Sequence, residues 1–411
     1  MIKYNILLIL VWTLSASLPI HAEVLPLSTA LREGLKNHPD ILTADANLKI
    51  RLAEKLAFTQ IPNPILEAEF RTLTGKPAIE LRLMQPIKRS YFGLRQNYAI
   101  IESASANADA RAQVAGVLND VYSRYVELWI VQELQSIRGK NREDLVSLHE
   151  PMYKSVKAGL GGTVELALLD AEIANESTEA EALESQKLAR SAALARRIGY
   201  RSGNVIVVER PSGLSLPSNS SGLEKFAVKR TPLRLALLKR EQAARAQLAI
   251  AQSDRFGSIQ AGILAEHDTD VGGTFLGLGF AFDLPLWNRN EAAIAGAQAS
   301  IDAAKGELKQ FEPARVAAVV KLRYRSALTA EQSAIRYRSE VVPLFETALS
   351  KAQEAMAKGQ GGISQIQPII NRLTQTRMRA FELSNAALEA RAELEGALGG
   401  RLEEALGFPI K

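Results

Sequence analysis

Three histidines follow residue 22, namely His38, His149 and His267, and the chain contains no cysteine. Zinc and other transition-metal sites draw three or four His, Cys or carboxylate ligands from short spacings. No two of these histidines stand at ligand spacing. His267 beside Asp268 and Asp270 is the densest cluster that could hold a cation, and because Asp favours turns it reads as a solvated outer loop. His149 beside Glu150 reads as a surface residue, and His38 before Pro39 as a helix end. The carboxylate pairs Glu172–Glu176 and Glu389–Glu393 are like-charged at i,i+4, so they read as exposed helix faces that give solubility or line a tunnel. Two glycine-rich stretches, Gly159-Leu160-Gly161-Gly162 and Gly359-Gln360-Gly361-Gly362, invite comparison with a phosphate-cradling loop. Neither follows a strand, and neither carries the Gly-Lys-Ser/Thr ending such a loop requires. The residues therefore predict no catalytic site, no metal site and no cofactor.

The glycine stretches have a different meaning when the elements around them are compared. The sequence is written twice. Leu31–Leu52 and Glu224–Arg245 share a helical pattern with a proline at the same place (Pro39, Pro232), and Gln85-Pro86-Ile87 faces Leu284-Pro285-Leu286. Ile198-Gly199 likewise matches Leu398-Gly399. A repeat on this scale determines the architecture before any single element does. Pro26–Asn37 reads as a short helix ended by Pro39, and Asp40–Gln60 as a second with Leu42, Ala46, Ile50, Ala53 and Ala57 on one stripe. Long Ala-rich helices are expected from Gly93 to Lys157 and from Asn288 to Lys358, kinked at Pro151, Pro313 and Pro343. Leu328, Ile335, Val342, Leu349 and Met356 recur at every seventh position, as do Val114, Val121 and Leu128, which predicts a coiled-coil seam in each. Each long helix ends at a glycine tip, and a return helix follows (Thr163–Arg197, Ile363–Leu398).

Between the short and long helices the hydrophobic period changes to two. Leu66, Ala68 and Phe70 alternate with Glu67, Glu69 and Arg71, and Ile79, Leu81 and Leu83 with Glu80 and Arg82. In the second copy Ile259, Ala261 and Ile263 lead across a turn at His267–Gly273 to Leu276, Leu278, Phe280 and Phe282. Strands of about 9–11 residues are long enough to cross a bilayer at a tilt. Leu66, Phe70, Ile79, Leu81, Leu276, Leu278 and Phe280 are the candidate lipid-facing residues.

The N-terminus carries Lys3, an apolar run from Ile6 to Leu18 and then Ile20-His21-Ala22, which predicts a secretory signal peptide over 1–22. A transmembrane anchor would need about 20 apolar residues. The predicted division is a first repeat over 23–200, a linker over 201–222 that carries one short strand, and a second repeat over 223–411. Fifty basic and 45 acidic residues, a net charge of +5, are interspersed along the helices, which excludes the clustered basic face of a nucleic-acid binder.

Four strands cannot close a membrane barrel, since the smallest have eight. An open edge in lipid leaves backbone groups unsatisfied at several kcal/mol each. The strands are therefore either soluble or pooled with other copies of the chain, and the long amphipathic helices, with too little apolar partner in one chain, favour pooling. With that requirement the chain resembles the outer-membrane efflux protein (TolC) family over essentially all of its length after residue 22. The residues that carry the resemblance are Ala30–Pro39, Gln85-Pro86-Ile87 with Phe92-Gly93-Leu94-Arg95, Leu284-Pro285-Leu286-Trp287-Asn288-Arg289-Asn290, the tip glycines Gly159 and Gly359, and the closing Leu398-Gly399. The Leu284–Asn290 stretch looks most like the heavy-metal branch.

The resemblance implies an α+β membrane protein: a homotrimer with a 12-stranded outer-membrane barrel continuing into a periplasmic helical tunnel. It further implies that the tips dock to a periplasmic adaptor linked to an inner-membrane pump, and that cargo, heavy-metal cations in that branch, passes through unchanged. Family members often ring the closed entrance with carboxylates just past the second tip. Here those positions are Gln365 and Pro368, while Glu165 and Asp170 follow the first tip. With no cysteine, the chain departs from relatives that carry a lipid anchor. Drug efflux and type I protein secretion are the alternatives within this class. A soluble periplasmic adaptor or coiled-coil scaffold is the rival from another, but it would carry one hairpin where this chain carries two.

Overall fold

The computed structural model describes residues 23–71, 78–159, 162–200, 205–211, 215–268, 272–358 and 363–406. The expected signal peptide lies outside them, as do the tip residues Leu160, Gly161, Gly359, Gln360, Gly361 and Gly362. The first repeat runs β1 (Glu23–Leu25), α1 (Leu27–Asn37), α2 (Pro39–Thr59), β2 (Ile65–Arg71), β3 (Ala78–Ile87), α3 (Leu94–Lys157) and α4 (Thr163–Ile198). After β4 (Ile206–Val208), the second runs α5 (Ser221–Arg230), α6 (Pro232–Asp254), β5 (Ile259–Asp268), β6 (Gly273–Phe282), α7 (Glu291–Leu308), α8 (Pro313–Arg336), α9 (Val342–Ala357) and α10 (Ile363–Leu398). A short α11 (Leu402–Ala405) follows. The molecule is mostly helical with one four-stranded sheet, and the order of elements is the same in both halves.

The long helices of the two repeats differ. α3 holds 64 residues, about 95 Å at 1.5 Å per residue, and Pro151 does not interrupt it. Its counterpart is broken twice. A 3-10 turn at Lys309–Phe311 ends α7, and Pro313 opens α8 at the position where a missing N–H costs nothing. A π-helical turn at Tyr337–Val341 precedes Pro343, with the Val342 N–H donating to the Tyr337 carbonyl five residues back. The proline ring crowds the preceding turn, and the extra residue in that turn relieves the crowding.

Packing follows the repeat. Beside the sheet the helices form one layer in the order α2, α3, α6, α7, and farther out in the order α4, α3, α10, α8/α9. Near the middle, β1 pairs in parallel with β4 on a core of Val121, Tyr125, Leu128, Leu194 and Ile206. The expected strand of the 201–222 segment is thus part of the core. Tyr125 joins the two strands. Its hydroxyl donates to the Leu25 carbonyl (2.9 Å) and accepts from the Glu209 N–H (3.1 Å), and burial pushes its pKa up to about 12.

The same corner is built in each repeat, where the return helix ends against the proline junction of the short helices. Gly199 (φ 67°) and Gly399 (φ 71°) are both left-handed. A Cβ on Gly199 would lie 2.5 Å from that of Asn37, and one on Gly399 2.8 Å from Thr231 Cγ2. Asn37 Nδ2 also donates to the Ile198 carbonyl (3.1 Å). His38, fully buried, caps α2 by accepting from the Asp40 N–H (3.1 Å), and its Nε2 lies 3.4 Å from Asp120. It is a helix-end residue, as its place before Pro39 implies.

Three sequence expectations need correction. The stripe Leu42, Ala46, Ile50, Ala53 and Ala57 on α2 is exposed in the single chain, because α2 lies at the edge of its layer. Among the described side chains of the sevenfold series, Leu349 alone is buried; that of Met356 lies outside them. Ile335 is exposed and Leu328 and Val342 half-buried, since the core stripe of α8 is Val316, Val320, Tyr324, Ala327 and Ala334. Val121 and Leu128 of the first series are buried, with Val114 half-buried. Glu176, read as a solvated face, is 2% exposed. It accepts from Arg138 of α3 (2.9 Å), because α4 turns that position toward its partner helix; Glu172, Glu389 and Glu393 are exposed as expected. Removing one member of a buried pair strands the other charge. Arg138→Met should therefore lower unfolding free energy by about 3–5 kcal/mol, and Arg138→Met/Glu176→Met should recover most of it in denaturant titrations.

Candidate functional site

The sheet is a single four-stranded layer in the order β2-β3-β5-β6, antiparallel throughout, so the two hairpins join through β3 and β5. The register sorts its faces. Leu66 pairs with Leu83, Ala68 with Leu81 and Phe70 with Ile79; across the junction Leu83 pairs with Ile263 and Leu81 with Ala265. Ile263 pairs with Leu278, and Ala265 with Leu276. Because side chains alternate with period two, these residues and Phe280 form one continuous apolar face. All seven candidate residues lie on it. It is uncovered within the chain, with Leu276 79%, Leu278 74%, Leu66 69% and Phe70 69% exposed.

The opposite face carries Glu67, Glu69, Glu80, Arg82 and Glu266 in adjacent rows, since Glu69 pairs with Glu80 and Glu80 with Glu266. Arg82 donates to Glu80 (2.6 Å) and reaches Glu69 (3.6 Å). At the other end of this face are Met84, Leu264, Gly277 and Gly279. A Cβ on Gly277 would stand 3.2 Å from the Leu264 side chain, and one on Gly279 3.3 Å from Met84 Sδ, so both glycines are closely packed. His267, expected in an outer loop, stands in β5, because pairing with β6 continues through Asp268. Its Nδ1 lies 3.1 Å from Thr274 Oγ1.

At the far end of the helices the tips of both repeats meet. Leu145, Leu148, Met152 and Leu169 pack with Leu349, Ile366, Ile370 and Leu373 in one buried cluster. Above it Arg377 of α10 donates to Asp144 of α3 (2.6 Å) and reaches Glu346 of α9 (3.5 Å), tying one hairpin to the other. Gly159 (φ 74°) and Gly162 (φ 96°) turn the chain between α3 and α4. Of the entrance candidates, Glu165 and Gln365 are exposed, on different helices. Asp170 Oδ1 lies 3.1 Å from His149 Nε2, and the imidazole stacks on Tyr153. His149 is thus paired, where its sequence neighbours suggested only a surface position. The partner sits across the tip at a separation that no local pattern reveals. Among the described residues no three His, Cys, Asp or Glu side chains group as metal ligands, and no helix is long and apolar enough to cross a membrane.

No family model and no curated protein matches the chain. Its fold does match solved structures. CusC, described for conformational changes accompanying folding and transmembrane channel formation, aligns with a TM-score of 0.72 at 16% identity, covering 91% of this chain and 92% of that one. The outer membrane protein VceC of Vibrio cholerae aligns at 0.71 with 18% identity over 92% and 97%. The open state of the MtrE outer membrane channel of Neisseria gonorrhoeae aligns at 0.69 with 16% identity over 92% and 89%. The structures this fold resembles are outer-membrane proteins and channels, not enzymes. At these identities the likeness is one of fold.

At Gly262 the backbone of the first repeat leaves no room for a side chain. A Cβ there would stand 1.9 Å from the Leu83 carbonyl oxygen. Gly262→Ala must therefore push β5 from β3. We expect lost sheet signal in infrared spectra and lower yield of folded protein, with Ala261→Gly as the mild control.

Proposed function

We propose that this chain is one subunit of an outer-membrane efflux conduit, in which three copies close a 12-stranded barrel that continues into a helical tunnel. The observation that carries this reading is the sheet itself. It has an uncovered apolar face, a carboxylate-bearing face, and outer edges on β2 and β6 that pair with no strand among the described residues. In water such an apolar face is an aggregation liability. In lipid it is the outer surface of a barrel with the polar face lining water. The exposed apolar stripe of α2 supports the same assembly, because it lies at the layer edge where the α7 edge of a second copy would meet it.

The conduit spans the outer membrane, with its helices in the periplasm and residues 1–22 acting as the export signal. The repeats 23–200 and 223–411 flank an equatorial segment over 201–222. The tips, Gly159–Gly162 and Gly359–Gly362, dock to a periplasmic adaptor that couples the tunnel to an inner-membrane pump. Glu165, Asp170 and Gln365 stand at the entrance. The cargo class we favour is heavy-metal cations, on the Leu284–Asn290 stretch and on the excess of carboxylates over arginines at the strand positions of the water-facing sheet surface (Glu67, Glu69, Glu80, Glu266 and Asp268 against Arg71 and Arg82). Conduction needs binding weak enough for release, so the conduit passes its cargo unchanged and holds no tight metal site.

Reconstitution in planar bilayers tests this. Purified protein should give stable, cation-preferring conductance, and Glu67→Gln/Glu266→Gln should reduce that preference while leaving assembly intact. Anion preference, or a preference unmoved by the double variant, would remove the case for cations and favour drugs or proteins as cargo. Absence of any conductance from folded protein would contradict the conduit itself.

A further inference from the structure

Where the sheet meets the helices, the chain exposes a second set of large apolar side chains that the barrel face does not include. Trp287 is 92% exposed, Phe92 and Leu284 73%, Leu286 61% and Phe256 57%. They lie in three different connections. Phe92 follows β3, Phe256 precedes β5, and Leu284–Trp287 follows β6. The band continues the apolar face, since Phe282 and Phe280 of β6 lead into Leu284.

Cations accompany the band. The Arg255 guanidinium lies over the Phe256 ring, 4.6 Å from its centroid. Arg289 Nε reaches the Pro285 carbonyl (3.4 Å), and Arg89 is exposed three residues before Phe92. The carboxylates nearby are otherwise engaged. Asp254 is held by Arg95 (3.2 Å), Asp283 accepts from the Ser258 N–H (2.8 Å), and Glu291 accepts from the Arg289 backbone N–H (2.8 Å). Arg89, Arg255 and Arg289 form no ion pair among the described residues.

We propose that Phe92, Phe256, Leu284, Leu286 and Trp287, with Arg89, Arg255 and Arg289, form a collar that binds the head groups of anionic phospholipids on the helix side of the sheet. This inference rests on the membrane reading above. Amphipathic rings settle at the head-group level, where one side is apolar and the other wet. Guanidinium groups present paired donors that match phosphate oxygens. A second copy of the chain is the competing occupant, because β6 is an outer strand. However, β3 and β5 are central strands. A neighbour docked along β6 covers Leu284–Trp287 and leaves Phe92 and Phe256 uncovered, whereas a lipid surface meets all three connections at once.

The chain supplies its own probe. After residue 22 it holds only two tryptophans, Trp129, which is 5% exposed, and Trp287. In Trp129→Phe protein reconstituted in vesicles, Trp287 emission should be quenched by lipids brominated near the head group more than by those brominated near the bilayer centre, and shielded from iodide. Adding phosphatidylglycerol to phosphatidylcholine vesicles should strengthen the quenching. Arg255→Gln and Arg289→Gln should each weaken the preference for phosphatidylglycerol by about fivefold. Trp287 open to iodide in the bilayer overturns the collar, as does Trp287 shielded in both detergent and bilayer without lipid quenching, the signature of a second copy. A separate arm reads insertion: Leu278→Trp in the Trp129→Phe/Trp287→Phe background should be quenched from the bilayer centre. If it is not, the membrane reading fails and takes the collar with it. If it is quenched while Trp287 stays open to iodide, only the collar falls.

Discussion

The architecture is conditioned by two rows of backbone groups that have no strand partner among the described residues. β2 and β6 each use one edge for their hairpin and leave the other unpaired. The sheet between them is apolar on one face over the length of a bilayer crossing. A soluble protein would blunt such edges with charges, bulges or a covering helix. None of the described helices covers this sheet, and both of its faces are open to solvent along most of β2 and β6. In lipid the only relief is closure, because each unsatisfied N–H or C=O costs several kcal/mol there. Lengthening the chain or pairing it with copies of itself are the two ways to close. The helices favour the second, since their layers also end in uncovered apolar edges, Leu42 and Ile50 on α2 and Leu322 and Leu344 on α8 and α9.

The twofold repeat explains how so long a molecule is positioned with a small core. Each half folds back on itself at one corner, where a left-handed glycine closing the return helix meets the chain just ahead of a proline. Asn37, two residues before Pro39, and Thr231, directly before Pro232, are the residues that face it. Asn37 donates across to the Ile198 carbonyl (3.1 Å), and the Thr231 hydroxyl, besides turning back to the Ala227 carbonyl (2.6 Å), reaches the matching Leu398 carbonyl (3.4 Å). The halves are also tied to each other, at the sheet through β3 and β5, and near the tips through Arg377. Between these ties the second long helix is interrupted at Pro313 and before Pro343, where the first is continuous. The second hairpin is therefore the one with built-in irregularity along its length.

The sequence made the element order, the strand faces and the repeat legible because each is a local periodic signal. Period two separated Leu66, Phe70 and Leu278 from Glu67, Glu69 and Gly277, and the register keeps that separation across all four strands. Helical burial was read less well. Leu42 and Ile50 look like a core stripe, yet they are uncovered, since an amphipathic pattern does not say whether the partner belongs to the same chain. Glu176 reads as solvated because its partner, Arg138, comes from the antiparallel helix at a separation no local pattern encodes. His267 was assigned to a turn because Asp268 and Asp270 suggested one, and strand pairing overrode that preference. The junction residue Gly262 gave no signal at all. Its need for hydrogen in place of a side chain comes from Leu83, in the other repeat.

The central claim is that β2 of one copy pairs with β6 of the next. The absence of cysteine makes this directly measurable. Single cysteines placed at Leu66, Ala68 or Phe70 on β2 can be combined with a cysteine at Leu276 or Leu278 on β6, all on the same face, and oxidised in the outer membrane. Closure by copies predicts that at least one combination yields heat-resistant, reductant-sensitive bands of two and three chains, ending at three. Only monomers in every combination, with both cysteines accessible to a thiol reagent, would contradict it.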